Sequence, residues 1–310
     1  MNWLLWRQHR AQALVTAVAL ALFALAVLLT GVHMAHLYEN SIRDCPTNGV
    51  CDFLGSLFNG YGAIIDTVHL SIALPVLLGL FLGATLVARE TEHATNVLVW
   101  TQTVTRRRWL FTKVGMALVA TAVTSAAVSA LVTWWSGTPN ALGGNRFEGV
   151  QFDTQNVVPV AFALFAVALG IAAGCLFRRT LPALAATVGI FVALRVVVAV
   201  YLRPHYLKVV TSAFPLGGVK VPSGSWMLSR ALVDPLGHAI DGKFDIPASC
   251  SSVDRTDLTS CLDRLGFHDV VRYHPASQYW PSQWIEAALY LTLAAGLVIF
   301  ALVYTLRRDA

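Results

Sequence analysis

The side chains best able to do chemistry are spread along this sequence and form no recognisable catalytic motif. There is no HExxH, GxSxG or paired CxxC pattern. One segment, Gly237–Phe244, approaches a phosphate-binding P-loop, but the last position of that motif must be Ser or Thr to reach magnesium. Here it is Phe244. We therefore expect no catalytic, cofactor or metal site in this chain, and no ATPase of its own.

Ionisable residues inside apolar stretches are costly in a membrane and indicate function by default. Asp66 and Arg195 are two such residues, and Glu286 lies near the start of the last apolar stretch. We expect Asp66 and Arg195 to form a polar pair between helices at similar depth. The alternative is that Asp66 is hydrated at the interface and that the long Arg195 side chain reaches the polar boundary.

Four of the five cysteines fall in two polar loops, as the pairs Cys45 and Cys51, and Cys250 and Cys261. Disulfides persist outside the cytosol. The spacing therefore favours two extracytoplasmic disulfides, with free thiols as the alternative. Cys175 is alone in an apolar stretch.

The composition indicates that these residues are positioned by helices in a lipid bilayer. Of 310 residues, 56% are hydrophobic and 13% are charged, against about 25% charged in soluble domains. A membrane span needs about 20 apolar residues. The apolar stretches of this length predict an all-α polytopic fold with six transmembrane helices. The spacing of the Trp and Arg residues in 1–12 predicts an interfacial helix there. The expected spans are 13–35, 62–87, 114–135, 157–176, 181–201 and 282–306.

The basic residues predict the orientation, because Lys and Arg accumulate on the cytoplasmic side of spans. They cluster at the N-terminus, in segment 88–113, at Arg178 and Arg179, and at the C-terminus. Both termini are therefore expected in the cytoplasm, with both cysteine pairs and a long insert, 202–281, outside. The net charge of +5 is explained by this topology, and no nucleic-acid-binding pattern accompanies it.

Two small-residue motifs predict close helix packing, Gly79–Gly83 and Gly170–Gly174, each with three residues between the glycines. Such faces let helix backbones approach within one chain or between chains. From the sequence, both possibilities remain open.

Segment 88–113 is the most informative part of the sequence. It begins with acidic residues and ends with basic ones, an order that suits the dipole of a short helix. Apolar Val97, Leu98 and Trp100 lie between them. An amphipathic helix held against a cytoplasmic partner has this pattern, and so does a solvated linker.

This segment resembles the loop between the second and third helices of ABC transporter permeases of the export class. Ala94 and Thr103 replace that family's usual Gly and Pro. The form from Trp100 to Arg106, and the stretch from Tyr273 to Glu286, resemble a subgroup of actinobacterial permeases. The residues that match the family pattern are Glu92, Thr95, Leu98, Val104, Thr105, Arg106 and Lys113.

The resemblance implies the membrane subunit of an exporter in the bacterial cell membrane. A separate ATP-binding subunit would carry ATP and magnesium and dock on segment 88–113, and a second permease chain, identical or paralogous, would complete the transporter. A sensor that binds a ligand through the insert, or an intramembrane enzyme, are the alternative functions. The resemblance places the coupling to the ATPase on Glu90, Glu92, Thr95, Arg106, Trp109 and Lys113.

Overall fold

The computed structural model describes residues 14, 17–18, 20–36, 39, 68–92, 106–137, 145–147, 149–240, 246–250 and 255–308. Helix α1 is Leu20–His36. Helix α2 consists of four consecutive segments: a 3-10 turn, Leu70–Ala73, an α-helical segment, Leu74–Leu78, a π-helical segment, Gly79–Ala84, and a second α-helical segment, Thr85–Glu92. The other helices of the bundle are α3, Arg106–Trp135; α4, Gly149–Thr154; α5, Val158–Phe177; α6, Thr180–His205, which ends in a π-helical and a 3-10 segment; and α8, Tyr279–Arg308.

Among the described residues, four helices are long and apolar enough to cross a membrane. They are Leu110–Trp135, Val158–Phe177, Thr180–His205 and Ala276–Arg307, and they overlap the last four expected spans almost completely. The regions of the first two expected spans hold shorter apolar helices, Leu20–His36 and Leu70–Ala84. The chain is thus a polytopic membrane protein.

Helix α5 is the centre of the bundle and packs against α2, α3, α6 and α8. It is apolar on all sides, as expected for a helix surrounded by other helices. Its buried positions include many small residues, among them Ala163, Ala166 and Gly170. It ends at Arg178, whose left-handed backbone (φ 53°) turns the chain directly into α6.

The two glycine motifs pack against each other within one chain. A Cβ atom added to Gly83 would lie 2.6 Å from the Val167 carbonyl oxygen, and one added to Gly170 would lie 2.5 Å from the Ala84 amide nitrogen. Neither position can accept even a methyl group without moving backbone. Helices α2 and α5 therefore touch backbone to backbone, which decides the sequence alternatives for these motifs in favour of packing within the chain.

The insert between α6 and α8 contains a four-stranded sheet, so the prediction of an all-α fold with a long loop here was wrong. The strands are β1, Val210–Phe214; β2, Trp226–Val233; β3, Ala239–Ile240; and β4, His268–His274. Their order is β1-β4-β2-β3, and all neighbours are antiparallel. Alternation along β4 buries Asp269, Val271 and Tyr273 on one face. That periodicity is typical of a half-buried strand, but it is hidden among the polar residues of the insert.

Helix α7, Arg255–Arg264, covers part of this sheet. It is tied to the preceding turn by a disulfide between Cys250 and Cys261, one of the two pairs expected from the sequence. Cys45 and Cys51 lie outside the described residues. Cys175 is a buried thiol, and its Sγ accepts a hydrogen bond from the Thr305 hydroxyl at 3.4 Å.

Candidate functional site

Four ionisable side chains meet at the end of the bundle that carries the sheet. Asp153 is on α4, Arg195 and Arg203 are on α6, and Glu286 is on α8. Glu286 is 0% exposed, Arg203 4%, Asp153 8% and Arg195 13%. We call these four residues the charge cluster.

Arg203 is at the centre of the charge cluster. Its Nε donates to Glu286 Oε2 at 2.8 Å, and its Nη2 donates to Glu286 Oε1 at 2.7 Å and to Asp153 Oδ1 at 2.6 Å. Arg195 donates to the same two carboxylates, through Nη1 to Glu286 at 3.0 Å and through Nη2 to Asp153. Each arginine thus bridges both acids, in the fork geometry that guanidinium groups favour.

The charges of the charge cluster balance, because two guanidinium groups face two carboxylates. Burying any one of them alone would cost several kcal/mol, and removing one partner of a buried pair leaves an uncompensated charge. The cluster therefore acts as a unit that fixes α4, α6 and α8 together at this end of the bundle. Both carboxylates are bonded to arginine, so the arrangement suits positioning rather than proton transfer to a substrate.

Aromatic rings surround the two guanidinium groups. The Arg195 guanidinium carbon lies 3.7 Å from the Phe162 ring centroid, and that of Arg203 lies 4.2 Å from the Phe152 ring centroid. Cation–π contacts are strongest where water is excluded. At the edge of the cluster, burial raises the pKa of the Tyr206 phenol above its usual range, and the charge of Glu286 acts in the same direction. Tyr206 therefore stays neutral beside the ion pairs.

A local irregularity in α6 brings its two arginines to the same face. Arg195 and Arg203 are eight residues apart, which in a regular α-helix is about 80° around the axis after two full turns. Between them, Val198–Leu202 is π-helical, and a π-segment accommodates one additional residue. The effective spacing is thus that of seven residues, about 20° from alignment. Such segments are frequent at functional sites.

Sequence reasoning found part of this site. Arg195 was identified, but in the structure its carboxylate partners are Asp153 and Glu286. Asp66 lies outside the described residues, so its pairing with Arg195 stays a prediction. Asp153 and Arg203 were assigned to polar loops beside the spans. Regular helical periodicity does not place Arg203 on the same face as Arg195, because it does not account for the additional residue in the π-helical segment of α6.

The opposite end of the bundle holds Glu92, one of the candidate coupling residues. The Glu92 carboxylate accepts hydrogen bonds from the Thr180 amide at 2.9 Å and the Thr180 hydroxyl at 2.5 Å. It thereby caps the N-terminus of α6, where the helix dipole favours a negative charge. This contact joins the last residue of α2 to the first residue of α6.

The other candidate coupling residues are only partly described. Lys113 is 6% exposed and is buried within the bundle, and its role in coupling stays a prediction. Glu90, Arg106 and Trp109 lie in α2 and α3, but their side chains are outside the described part of the structure, as is the whole of Thr95.

The comparison with curated proteins and with solved structures gave no match. The family model described as ABC-2 membrane transporter related matches residues 17–203. The matched region runs from α1 to Arg203 and thus includes the α2–α5 interface, the Glu92–Thr180 contact and three members of the charge cluster. The chain therefore belongs to the ABC-2 membrane transporter related family and is a membrane permease component.

Proposed function

We propose that this chain is the membrane-spanning permease subunit of an ATP-driven ABC exporter that works by alternating access. The family match over residues 17–203 carries the proposal. A separate ATP-binding subunit would bind ATP and magnesium and dock on segment 88–113. A second permease chain would complete the transporter in the bacterial cell membrane, with both termini of this chain in the cytoplasm. The substrate would be a hydrophobic or amphipathic compound, a lipid or a peptide.

The contacts of Glu92 support a path by which docking could act on the membrane helices. Segment 88–113 begins in the last turns of α2, and Glu92 is bonded to the first residue of α6. From Thr180 to Arg203, α6 is about 35 Å long at 1.5 Å per residue. A displacement at Glu92 would thus be transmitted along α6 to the charge cluster at the far end. ATP must favour one permease conformation over the other for this to drive transport.

Capture of the ATPase by the full-length chain tests the proposal. The tagged chain is expressed in its native host, cross-linked in membranes and purified in mild detergent, and bound proteins are identified by mass spectrometry. We expect an ABC ATP-binding subunit with the wild-type chain. Its absence after cross-linking would overturn the exporter function and favour a sensor.

A matched pair of variants tests the docking segment separately. Replacing 93–105 with a Gly/Ser linker of the same length keeps the chain connection but removes the amphipathic pattern, and we expect it to abolish capture. The same replacement of 241–245 in the insert is the control and should leave capture unchanged. Equal capture by both variants would show that the ATPase docks elsewhere.

A further inference from the structure

The helical path of the chain is interrupted between α4 and α5. Helix α4 ends at Thr154 and α5 begins at Val158. Between them, Asn156 has a left-handed backbone (φ 62°), a conformation that ends helices and that Asn adopts more readily than most residues. Ser129, which contacts this break, lies six residues before the end of α3, about 9 Å at 1.5 Å per residue. The break therefore lies beside the last turns of α3, within the bundle.

Side chains of α3 and α8 bind the polar groups of Asn156. Ser129 Oγ donates to the Asn156 carbonyl oxygen at 2.6 Å, and the Asn156 amide donates to Thr133 Oγ1 at 2.8 Å. The Asn156 side chain donates through Nδ2 to the Tyr279 hydroxyl at 2.8 Å. Backbone groups that leave a helix inside a membrane protein need such partners, because lipid offers none. Two neighbouring helices thus hold the left-handed residue in place.

Gln283 of α8 joins the two sides of the break. Its Nε2 donates to the Phe152 carbonyl oxygen of α4 at 3.0 Å, and its Oε1 accepts from the Val158 amide of α5 at 3.2 Å. Only this orientation of the side-chain amide satisfies both groups. A continuous helix would bond both of them to its own backbone. Gln283 is 0% exposed, so one buried side chain replaces helical hydrogen bonds on each side of the break.

A row of buried residues on one face of α8 contacts this region. Tyr279, Gln283 and Glu286 are four and three residues apart, so they lie on the same side of the helix, and they are 4%, 0% and 0% exposed. Tyr279 binds Asn156, Gln283 binds both sides of the break, and Glu286 belongs to the charge cluster with Asp153. Helix α4 is therefore attached to α8 at successive levels.

We propose that Gln283 is a positioning residue, which ties α4 to α8 across the break so that α8, rather than α5, determines where Asp153 lies in the charge cluster. Asp153 directly follows Phe152, the residue whose carbonyl group Gln283 binds. Gln283 and Glu286 belong to the same helix, so a displacement of α8 carries the attachment of α4 and the carboxylate of Glu286 together. The ion pairs of Asp153 and Glu286 with the arginines thus stay in register.

In the exporter proposed above, α4 would then move with α8, and the turn at 155–157 would absorb the movement relative to α5. This consequence rests on the proposed function, whereas the attachment of α4 to α8 does not.

Hydrogen–deuterium exchange of the full-length chain in lipid nanodiscs tests the attachment. In the wild-type chain, the Val158 amide should exchange as slowly as amides in the middle of α5, although the first amides of a helix usually lack acceptors. Fast exchange of the Val158 amide would overturn the proposal without the use of any variant.

Gln283→Met keeps the length of the side chain and removes both hydrogen bonds. Amides in 152–158 should exchange about tenfold faster, as expected for the loss of one buried hydrogen bond. Amides of β4 should be unchanged, and an equal increase there would show a general loss of stability and contradict the local role.

Ser282→Ala is the matched control on α8. Ser282 is also buried, but its hydroxyl donates to the Gln278 carbonyl just before the helix rather than to the break. Exchange in 152–158 should therefore match the wild type. The same increase in Ser282→Ala and Gln283→Met would overturn the assignment to Gln283.

A double variant tests whether Gln283 positions Asp153. If it does, Gln283→Met already weakens the ion pairs of Asp153, and Asp153→Asn should lower the melting temperature less in that background than in the wild-type chain. In the Ser282→Ala background, the loss should equal that in the wild type. Equal losses in all three backgrounds would refute the positioning role. These measurements use the chain without an ATPase, so their outcome is independent of ATPase capture.

Discussion

Truncation of Arg203 to methionine is the most direct test of the charge cluster. The change removes three hydrogen bonds and leaves two buried carboxylates with Arg195 as their only guanidinium partner in the cluster. Breaking a buried pair in this way costs about 3–5 kcal/mol. At about 2–4 °C per kcal/mol, the melting temperature of the detergent-purified chain should fall by roughly 10 °C.

Arg230→Met is the matched control, because Arg230 also forms two bonds to one carboxylate, Asp269, but is 51% exposed. Asp269 itself is 5% exposed, so the loss should lie between that of an exposed pair, about 0–1 kcal/mol, and that of a fully buried one, and this variant should lose less melting temperature than Arg203→Met. Scanning fluorimetry of both variants under the same conditions makes the comparison. An equal loss in the two would show that burial of the charge cluster has no energetic consequence.

A double variant tests whether charge balance is the cause. Glu286→Gln should destabilise the wild-type chain, because it leaves two arginines with one carboxylate. In the Arg203→Met background the same change restores one positive and one negative charge, and it should raise the melting temperature. Coupled residues depart from additivity by about 0.5–3 kcal/mol. If Glu286→Gln lowers stability equally in both backgrounds, the reasoning from charge balance is wrong.

Three further predictions concern other parts of the molecule. Gly170→Ala should lower the free energy of unfolding by about 1–3 kcal/mol through overpacking. Gly189→Ala should not, because a Cβ added there meets nothing within 4 Å. Similar melting temperatures of the two variants would contradict backbone contact between α2 and α5. Replacing Cys250 and Cys261 with serine opens a loop with a sequence separation of 11 and should cost about 3 kcal/mol. In thermal melting, reductant should lower the melting temperature of the wild-type chain by more than that of the variant. Hydrogen bonds from the backbone amides of His238 and Leu236 lower the pKa of Asp234, so the exchange protection of these amides should be lost as the pH falls below about 4. Persistence of this protection in Asp234→Ala, which lacks the acceptor, would refute this role.

The sequence predicted the elements whose patterns are local. Apolar stretches of suitable length predicted the last four spans. Glycine spacing predicted close helix packing, because only residues without side chains allow backbones to touch, and the structure shows that the two motifs pack on each other. The Cys250–Cys261 disulfide likewise followed from two cysteines in one polar segment.

The sheet and most of the charge cluster could not be predicted in this way. The strands of the sheet pair β1 with β4 across about 60 residues, for instance Val210 with Tyr273, and such pairings leave only a short alternating pattern in each strand. Asp153 and Arg203 look like ordinary polar residues beside apolar stretches. Their importance depends on the fold around them, which buries both of them next to Glu286.

The π-helical segment of α6 has a consequence for sequence variation in this family. A one-residue insertion in a helix rotates all later residues of that helix by about 100° around its axis. Related sequences should therefore rarely share such an insertion by chance. Since the additional residue in 198–202 aligns Arg203 with Arg195, the two features depend on each other. Relatives that lack an arginine at the position of Arg203 have no need of the additional residue. When such sequences are aligned, a one-residue gap in 198–202 and the loss of the arginine should occur together.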